Sequence, residues 1–406
     1  MPKFSYTAKS LSGEEKTGKI DTKDIGQLAA TLKTQGFILI NAVPEKEKEE
    51  KNILNLTIPF LNRVSLTEKM MFTRNLQVMI SSGLSLPKSF QVLALQSNNK
   101  FFKKAILDIK EEVIKGNNFS DSLKKYPAIF SELFQNMIKV GEEAGNLEEV
   151  LGILSKQMER ENELKSKIKG ALMYPAVVIS AMIGIGILML VMVVPSLSET
   201  FEDLGIELPV TTQFIIWLGT FMSEKWYLFI VIVIVLVGFF SFGFKSKKIK
   251  KGMDGFFLKL PMISVLVKKT NSASTARTLS SLISAGVPIV RALEIVSNTL
   301  GNFYYKKALA EAGEKVKKGG KLSDALSPYK EIYPIIVIQM IKVGEETGET
   351  SSVLAKLADF FEEEVGNATK NMASIIEPIL MLVVGAIIGF FAISMVQPMY
   401  SMLDAI

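Results

Sequence analysis

The chain has 406 residues, of which 48% are hydrophobic, and it contains no cysteine and no histidine. It therefore lacks thiol nucleophiles, disulfides, Cys or His zinc ligands and imidazole bases, which excludes the commonest catalytic sites and implies no cofactor. The formal net charge of +6 comes mainly from lysines, many of them beside apolar segments, so it indicates a membrane protein rather than one that binds nucleic acid.

Residues 1–44 are predicted to form a small α+β domain with the element order ββαβ. The patterns are alternation over residues 4–8 and 16–20, helical spacing over 24–34 and a third strand candidate over 37–43. Residues 45–64 begin with a run of glutamates and lysines that has nothing to bury, and we expect a charged linker there.

After the linker the pattern is helical. Ser65-Leu66-Thr67-Glu68 fits a capping box at the start of a helix that Gly83 would end. The periodicity predicts two bundles of about six helices each, over residues 65–170 and 268–373. The last helix of each bundle is expected to continue into a long apolar run.

The two bundles are copies of one unit, because the sequence repeats at a constant offset. The motif Gly141-Glu142-Glu143-Ala144-Gly145 returns 203 residues later (344 − 141) as Gly344-Glu345-Glu346-Thr347-Gly348. A duplication this regular indicates two copies of one structural unit.

Three uncharged apolar runs, residues 171–194, 226–244 and 378–396, are long enough to cross a membrane. A span needs about 20 apolar residues at ~1.5 Å per residue. We expect transmembrane helices at 171–195, 226–244 and 374–398. The middle one returns the chain, so that both bundles lie on the same side of the membrane.

Charge sets the expected orientation. Lysines precede the first and third spans and fill the linker 245–267 after the second, whereas residues 196–224 contain five carboxylates and no Lys or Arg. By the positive-inside rule the N-terminus and both bundles are cytoplasmic, and the loop 196–225 and the tail 399–406 are extracytoplasmic. The polar first residues show no signal-peptide pattern. The predicted fold is an all-α polytopic membrane protein carrying the small α+β domain.

The repeated Gly-Glu-Glu-x-Gly motifs allow a structural and a functional interpretation. Glycine ends helices and acidic residues favour the start of the next, so a helix–helix turn is the simpler interpretation. The carboxylates could instead bind a hard cation such as Ca²⁺, or a basic surface of a partner. The candidate residues are Gly141, Glu142, Glu143 and Gly145, with Gly344, Glu345, Glu346 and Gly348.

Two further repeated positions carry hypotheses. Arg74 and Arg277 are two of only five arginines, and each is expected to pair with a carboxylate of its own bundle, although a solvated surface arginine is the alternative. Pro175 and Pro378 lie near the cytoplasmic ends of their spans and predict equivalent bends, although proline is also simply tolerated in membrane helices.

The sequence predicts no enzyme. It contains no GxxxxGK[ST] loop, no nucleophile elbow, no HExxH and no GxGxxG. The middles of the spans carry no charge, which also argues against an ion-coupled carrier. Glu377, beside the third span, is interpreted as a boundary residue rather than a functional carboxylate.

These features together resemble the inner-membrane platform proteins of type IV pilus and type II secretion machines, the PilC/GspF family. The resemblance covers essentially the whole chain. Its motifs are the two Gly-Glu-Glu-x-Gly sequences, Ser81-Ser82-Gly83-Leu84-Ser85-Leu86, Tyr174-Pro175, Ser284-Ala285-Gly286-Val287-Pro288-Ile289 and Glu377-Pro378. Ser85 departs from the Gly-x-Pro pattern of the second copy.

The resemblance implies a non-enzymatic platform in the bacterial inner membrane. A hexameric cytoplasmic ATPase would dock on the bundles, and pilin or pseudopilin subunits would be moved between the bilayer and a filament. Other inner-membrane alignment proteins, membrane lipid and further copies of the chain are the expected partners. The alternatives are a secretion pseudopilus platform, a transporter or channel subunit, and a membrane-bound enzyme.

Overall fold

The computed structural model describes residues 3–10, 15–22, 25–44, 64–196, 208–225 and 246–404, with positions 198, 227, 228, 231, 235 and 238 between them. The chain divides into two compact units, Met1–Arg63 and Val64–Ile406. Each unit is described by itself. Most of the predicted second span, residues 226–244, lies outside the described residues.

The first unit is a three-stranded antiparallel sheet with one helix. Its elements are β1 (Lys3–Ser10), β2 (Glu15–Asp21), α1 (Ile25–Thr34) and β3 (Phe37–Pro44), with β1 central in the sheet. Leu28 and Leu32 of α1 are buried in one small core with Tyr6. This core combines one face of the helix with one face of the sheet, as the two sequence periodicities require.

The first helical bundle opens the second unit. Its helices are α2 (Leu66–Ser81), α3 (Leu86–Gln96), α4 (Lys100–Ile114), α5 (Phe119–Leu123), α6 (Glu132–Ala144) and α7 (Leu147–Leu188). Ser65 accepts a hydrogen bond from the backbone N–H of Glu68 at 3.0 Å, and Gly83 ends α2 with a positive φ of 78°. The Glu68 carboxylate accepts from the Ser97 hydroxyl at 2.8 Å, so it ties α2 to the segment between α3 and α4.

Helix α7 continues through a π-helical turn, Met189–Val193, so that one helix runs over Leu147–Ser196. It is one of two helices in the described part of the chain that are long and apolar enough to cross a membrane; the other is Thr350–Gln397. Pro175 and Pro378 lie inside these continuous helices. The bends predicted at the two prolines stay predictions.

The predicted loop 196–225 contains a helix, which corrects the expectation of an irregular connection. Helix α8 (Val210–Glu224) packs against the outer ends of both long helices. A Cβ at Gly219 would lie 2.6 Å from the carbonyl oxygen of Leu190, and the Thr212 hydroxyl donates to the carbonyl of Ser394. The segment forms a helix because its apolar residues can pack on the neighbouring helices, although it is too short to span a bilayer.

The second bundle repeats the first. Its elements are α9 (Lys247–Lys259), α10 (Pro261–Ser284), α11 (Ile289–Thr299), α12 (Phe303–Lys317), α13 (Leu322–Leu326), a 3-10 turn (Ser327–Tyr329), α14 (Ile335–Thr347) and α15 (Thr350–Asp404). Helix α15 includes the membrane run and residues 399–404 of the predicted tail.

The predicted basic linker, residues 245–267, is helical, which corrects the domain boundary. Helix α9 belongs to the bundle: Asp254 accepts a hydrogen bond from the backbone N–H of Phe303 at 2.8 Å, and Lys251 lies 5.5 Å from the centre of the Phe303 ring. The lysines hid this helix in the sequence because their charge dominates the segment, although Phe256 and Phe257 recur among them.

The repeated helices have different core chemistry. In the first bundle the rings of Phe72 and Phe130 pack with their centres 5.9 Å apart. At the equivalent positions of the second bundle, Thr275 and Tyr333 share a buried hydrogen bond of 3.1 Å. The duplicated backbone therefore tolerates exchange of an apolar pair for a hydrogen-bonded pair, because each choice satisfies all the atoms that it buries.

Candidate functional site at the Gly-Glu-Glu turns

The last glycine of each motif ends a helix. Gly145 and Gly348 adopt φ values of 71° and 76°, in the left-handed region that glycine occupies without strain. The long helices α7 and α15 begin two residues later, at Leu147 and Thr350. This glycine thus redirects the chain from a short helix of the bundle into the helix that reaches the membrane.

The first glycine of each motif allows two helices to touch. A Cβ at Gly141 would lie 3.0 Å from Val150 on α7, and a Cβ at Gly344 would lie 3.0 Å from the Cα of Thr350 on α15. Both glycines are buried. A side chain at either position would push the long helix away from the helix that precedes it.

The first glutamate of each motif caps a neighbouring helix. Glu142 accepts hydrogen bonds from the backbone N–H groups of Phe119 at 2.6 Å and Ser120 at 3.0 Å, and from the Ser120 hydroxyl at 2.7 Å. Glu345 accepts the same three bonds from Leu322 and Ser323. A carboxylate is favourable there because the N–H groups at a helix start have no partner within the helix.

The second glutamate of each motif faces solvent. Glu143 and Glu346 are exposed, and their nearest cations are Lys139 at 3.7 Å and Lys342 at 3.9 Å, one helical turn earlier. Such exposed pairs contribute little to stability. Glu143 and Glu346 are therefore the members of the motif that remain available to a partner.

The cation hypothesis is not supported by this geometry. The Glu142 and Glu345 carboxylates are each occupied by three hydrogen-bond donors. A metal site needs several convergent oxygen ligands, and the described residues contain no group of three or more acidic side chains that could hold an ion. The turn chemistry accounts for both glycines and the first glutamate.

The two arginines differ. Arg277 makes a two-pronged pair with Glu362, at 2.8 and 2.9 Å, and a further bond to Asp359 at 2.5 Å. Burial opposes its charge, but the hydrogen bonds to Glu362 and Asp359 outweigh burial and raise the pKa of Arg277.

Arg74 is exposed, and the described part of the chain offers it no ion pair, contrary to the prediction. The position equivalent to Asp359 is Lys156 (359 − 203), which repels a guanidinium instead of binding it.

A tyrosine–carboxylate hydrogen bond occurs in both bundles and was not predicted. The Tyr126 hydroxyl donates to Asp108, and the Tyr329 hydroxyl, 203 residues later, donates to Glu311. Burial, followed by the hydrogen bond to the carboxylate, raises the pKa of Tyr126 and of Tyr329 to about 12 in each case. The constant offset of both partners was the signal in the sequence that could have revealed the pair.

A seam of polar contacts joins the two bundles. Glu132 of α6 accepts a hydrogen bond from Asn298 of α11 at 3.2 Å and lies 3.5 Å from Arg291. Gln157 of α7 accepts from the Ser281 hydroxyl of α10 at 2.8 Å, in a buried position. Repeat analysis missed these residues because they lie where the two copies differ.

Comparison with known proteins gives a consistent family assignment. The family model for protein F of the type II secretion system matches residues 72–195 and again residues 275–398, an offset of 203 (275 − 72). The model for the N-terminal domain of the same protein matches residues 1–42.

Individual relatives agree along the whole chain. The type IV pilus assembly protein PilC of Myxococcus xanthus is 34% identical over 403 residues, covering 99% of this chain and 95% of the relative. PilC of Pseudomonas aeruginosa is 36% identical over 337 residues, with 82% and 89% covered. Type II secretion system protein F of Xanthomonas campestris is 30% identical over 410 residues, with 100% of both chains covered.

Proposed function

Since this chain belongs to the type II secretion system protein F family, we propose that it is an inner-membrane platform protein of a type IV pilus machine. The proposal favours a pilus over a secretion system because the relatives named PilC reach 34% and 36% identity, against 30% for the secretion protein of Xanthomonas campestris. A type II secretion pseudopilus platform is the second candidate.

The observation that carries the proposal is the direct continuity between each bundle and an apolar helix. Leu147–Ser196 and Thr350–Gln397 each begin inside a bundle and end in an apolar segment. At ~1.5 Å per residue a 50-residue helix is about 75 Å long. Such a helix can carry a displacement of the bundle into the bilayer without a flexible joint.

The partners follow from this arrangement. A hexameric cytoplasmic ATPase would bind the bundles, with Glu143 and Glu346 among the exposed charges that it could contact. Pilin subunits, or pseudopilins in the second candidate, would contact the lipid-facing part. Alignment-complex proteins and membrane lipid complete the expected set, and neither a cofactor nor nucleic acid is needed. The protein would cross the membrane several times, with its N-terminus in the cytoplasm and its C-terminus outside.

The test is binding of the cognate ATPase to the full-length protein in lipid nanodiscs. Binding is expected, and Glu143→Lys with Glu346→Lys should weaken it; Glu148→Lys, also exposed but outside the motif, is the matched control. Absence of binding by the wild-type chain would contradict the proposed coupling. The bundles over residues 64–170 and 246–370 should also be assayed separately. Failure of both, with binding by the whole chain, would point to a composite surface.

Two other classes of function are separated from a platform by direct assays. The purified chain alone should neither hydrolyse ATP nor release ions from liposomes. Sustained hydrolysis would assign the motor activity to this chain, and ion flux would favour a channel subunit. The second candidate is distinguished by its filament subunit, because a pseudopilus platform would cross-link to pseudopilins rather than to pilins.

A further inference from the structure

The seam between the two bundles uses a different face on each copy. The first copy contributes α6 and the bundle part of α7, and the second contributes α10 and α11. A contact of this kind is heterologous, because the two partners present different surfaces. Each bundle therefore also carries the equivalent of the face that the other uses.

Those equivalent faces are uncovered. We name the free face of the second bundle, on α14 and α15, the exit face, defined by Ile335, Gln339, Val343 and Phe360. The free face of the first bundle, on α2 and α3, is the entry face, defined by Val78, Gly83, Lys88 and Leu95. All eight residues are exposed in the described structure. Within the described chain no packing of α14 on α3 matches that of α6 on α11.

The first pair of equivalent positions exchanges a polar contact for an apolar one. In the seam, the Asn298 amide donates to the Glu132 carboxylate at 3.2 Å. At the positions 203 residues away, the entry face has Leu95 and the exit face has Ile335, which are 69% and 63% exposed. Both partners change character together, so an apolar contact would replace the hydrogen bond.

A second pair shows the same joint exchange. In the seam, the Ser281 hydroxyl donates to Gln157 at 2.8 Å. The equivalent positions hold Val78 on the entry face and Phe360 on the exit face, which are 56% and 45% exposed. Large apolar side chains on a solvated bundle surface are normal singly, but two matched pairs on complementary faces indicate an interface.

The remaining equivalents are compatible in size and polarity. Arg291 donates to Asn136 at 3.1 Å in the seam, and Lys88 and Gln339 could make the corresponding bond. A Cβ at Gly286 would lie 3.9 Å from Val140. The corresponding residues on the free faces are another glycine and another valine, Gly83 and Val343.

We propose that the exit face of one molecule docks on the entry face of a second copy, repeating the geometry of the internal seam. Leu95 would then contact Ile335, and Val78 would contact Phe360, across two chains. Burial of these four side chains drives the association, while the lysine and glutamine set its register. This proposal does not depend on which machine the platform serves.

Because the contact is heterologous, each molecule has one free face of each kind, and association continues until a ring closes. Anchoring of both long helices in one bilayer keeps all copies in the same plane. A closed ring would be an alternation of first and second bundles in which every bundle contacts two others.

The absence of cysteine makes the test clean. Two single variants, Leu95→Cys and Ile335→Cys, carry different tags, are mixed in detergent, reconstituted together in lipid and treated with a short bis-maleimide. We expect a cross-linked species that contains both tags, at least about ten-fold above either variant alone. The positive control is Asn298→Cys with Glu132→Cys in one chain, which should cross-link internally without a new chain contact.

The proposal is overturned if the internal control reacts and the mixed variants do not, or if either single variant alone cross-links as strongly as the mixture. A second measurement uses Ile335→Glu, which should weaken self-association in nanodiscs by about ten-fold or more, since it places a charge against Leu95. Ile114→Glu is the matched control: Ile114 is 59% exposed, lies on neither face and has a lysine at its equivalent position, 317. Equal effects of the two changes would also refute the assignment.

Discussion

Neighbouring glutamates in each repeated motif have different environments. Glu142 and Glu345 accept two backbone N–H groups and a hydroxyl, whereas Glu143 and Glu346 face solvent. The sequence predicted the turn and its glycines. It could not distinguish the two carboxylates, because the capped helix lies 22 or 23 residues away and only the tertiary fold brings it near.

Replacing Glu142 with Gln should loosen the start of helix α5. The change removes the negative charge and leaves one amide N–H facing two backbone donors, which should cost about 1–3 kcal/mol locally. Hydrogen-exchange mass spectrometry should therefore detect faster exchange over residues 119–123, by about ten-fold or more. Glu143→Gln is the control and should leave these amides unchanged; an equal effect of both changes would contradict the capping role.

Arginine at position 277 should not be replaceable by lysine. A lysine cannot make the two-pronged bond to Glu362 and would leave a buried carboxylate short of donors, so Arg277→Lys should destabilise the second bundle by about 1–3 kcal/mol. Unfolding of the full-length protein, followed by exchange of the amides around residue 362, measures the loss. The matched change Arg74→Lys should stay within about 0.5 kcal/mol, and a similar loss there would mean that the arginine has a partner after all.

Alkaline pH should destabilise both bundles through the tyrosine–carboxylate pairs. The folded pKa of Tyr126 and of Tyr329 is raised to about 12, while an unfolded tyrosine ionises near pH ~10. The unfolded state thus releases its protons first, so the contribution of each pair is complete below pH ~10 and is lost as the pH rises towards 12. Ultraviolet titration of tyrosinate should show the late ionisation, and Tyr126→Phe with Tyr329→Phe should remove that part of the curve. An unchanged curve would show that these tyrosines titrate normally.

At the scale of elements, connections were harder to predict than repeated helices. The segments expected as a loop at 196–225 and as a linker at 245–267 contain α8 and α9. Helix α8 is amphipathic in an unusual sense: one side contacts the long helices, and the opposite side presents Phe214, Trp217 and Phe221 as a stacked aromatic stripe. Its stability comes from packing on its neighbours, which a local pattern does not contain.

Helix α8 should lie in the outer part of the bilayer. Its contacts at Leu190 and Ser394 belong to apolar membrane runs, so the aromatic stripe is at lipid depth. With Trp226→Phe as background, Trp217 is the remaining tryptophan of the chain's two. Its fluorescence should be quenched by brominated lipid and protected from aqueous iodide; the reverse pattern would place α8 outside the membrane.

The same helix offers a packing test. Gly219→Val should displace α8, because the new side chain would collide with the Leu190 carbonyl, and Trp217 should become accessible to iodide. Gly184→Val, at a position with open space around the glycine, is the control and should leave the quenching unchanged.

At the scale of the whole molecule, the duplication and the positions of charge predict a shared cytoplasmic side for both bundles. The two described long helices run from the bundles into apolar segments, as this topology requires. The positive-inside rule depends on charges flanking the spans, which the sequence supplies directly.

Labelling of introduced cysteines tests the topology against a cysteine-free background. In intact cells an impermeant maleimide should react with Asp203→Cys and Ser401→Cys on the outer side. Glu143→Cys and Glu346→Cys should react only after permeabilisation. Reaction of Glu143→Cys in intact cells would reverse the orientation, and labelling of only one of the two glutamate variants would contradict a common side for the bundles.

Local and periodic features were accessible from the sequence alone: the repeat, its offset, the strands and helix of the first unit, the glycine turns and the apolar runs. These depend on chain geometry and on the solvent each residue prefers. The tertiary structure decided which carboxylate caps a helix, why Arg277 has partners and Arg74 does not, where α8 packs, and which faces of the bundles remain free. Those properties depend on residues far apart in the chain, so identical motifs in two copies acquire different neighbours.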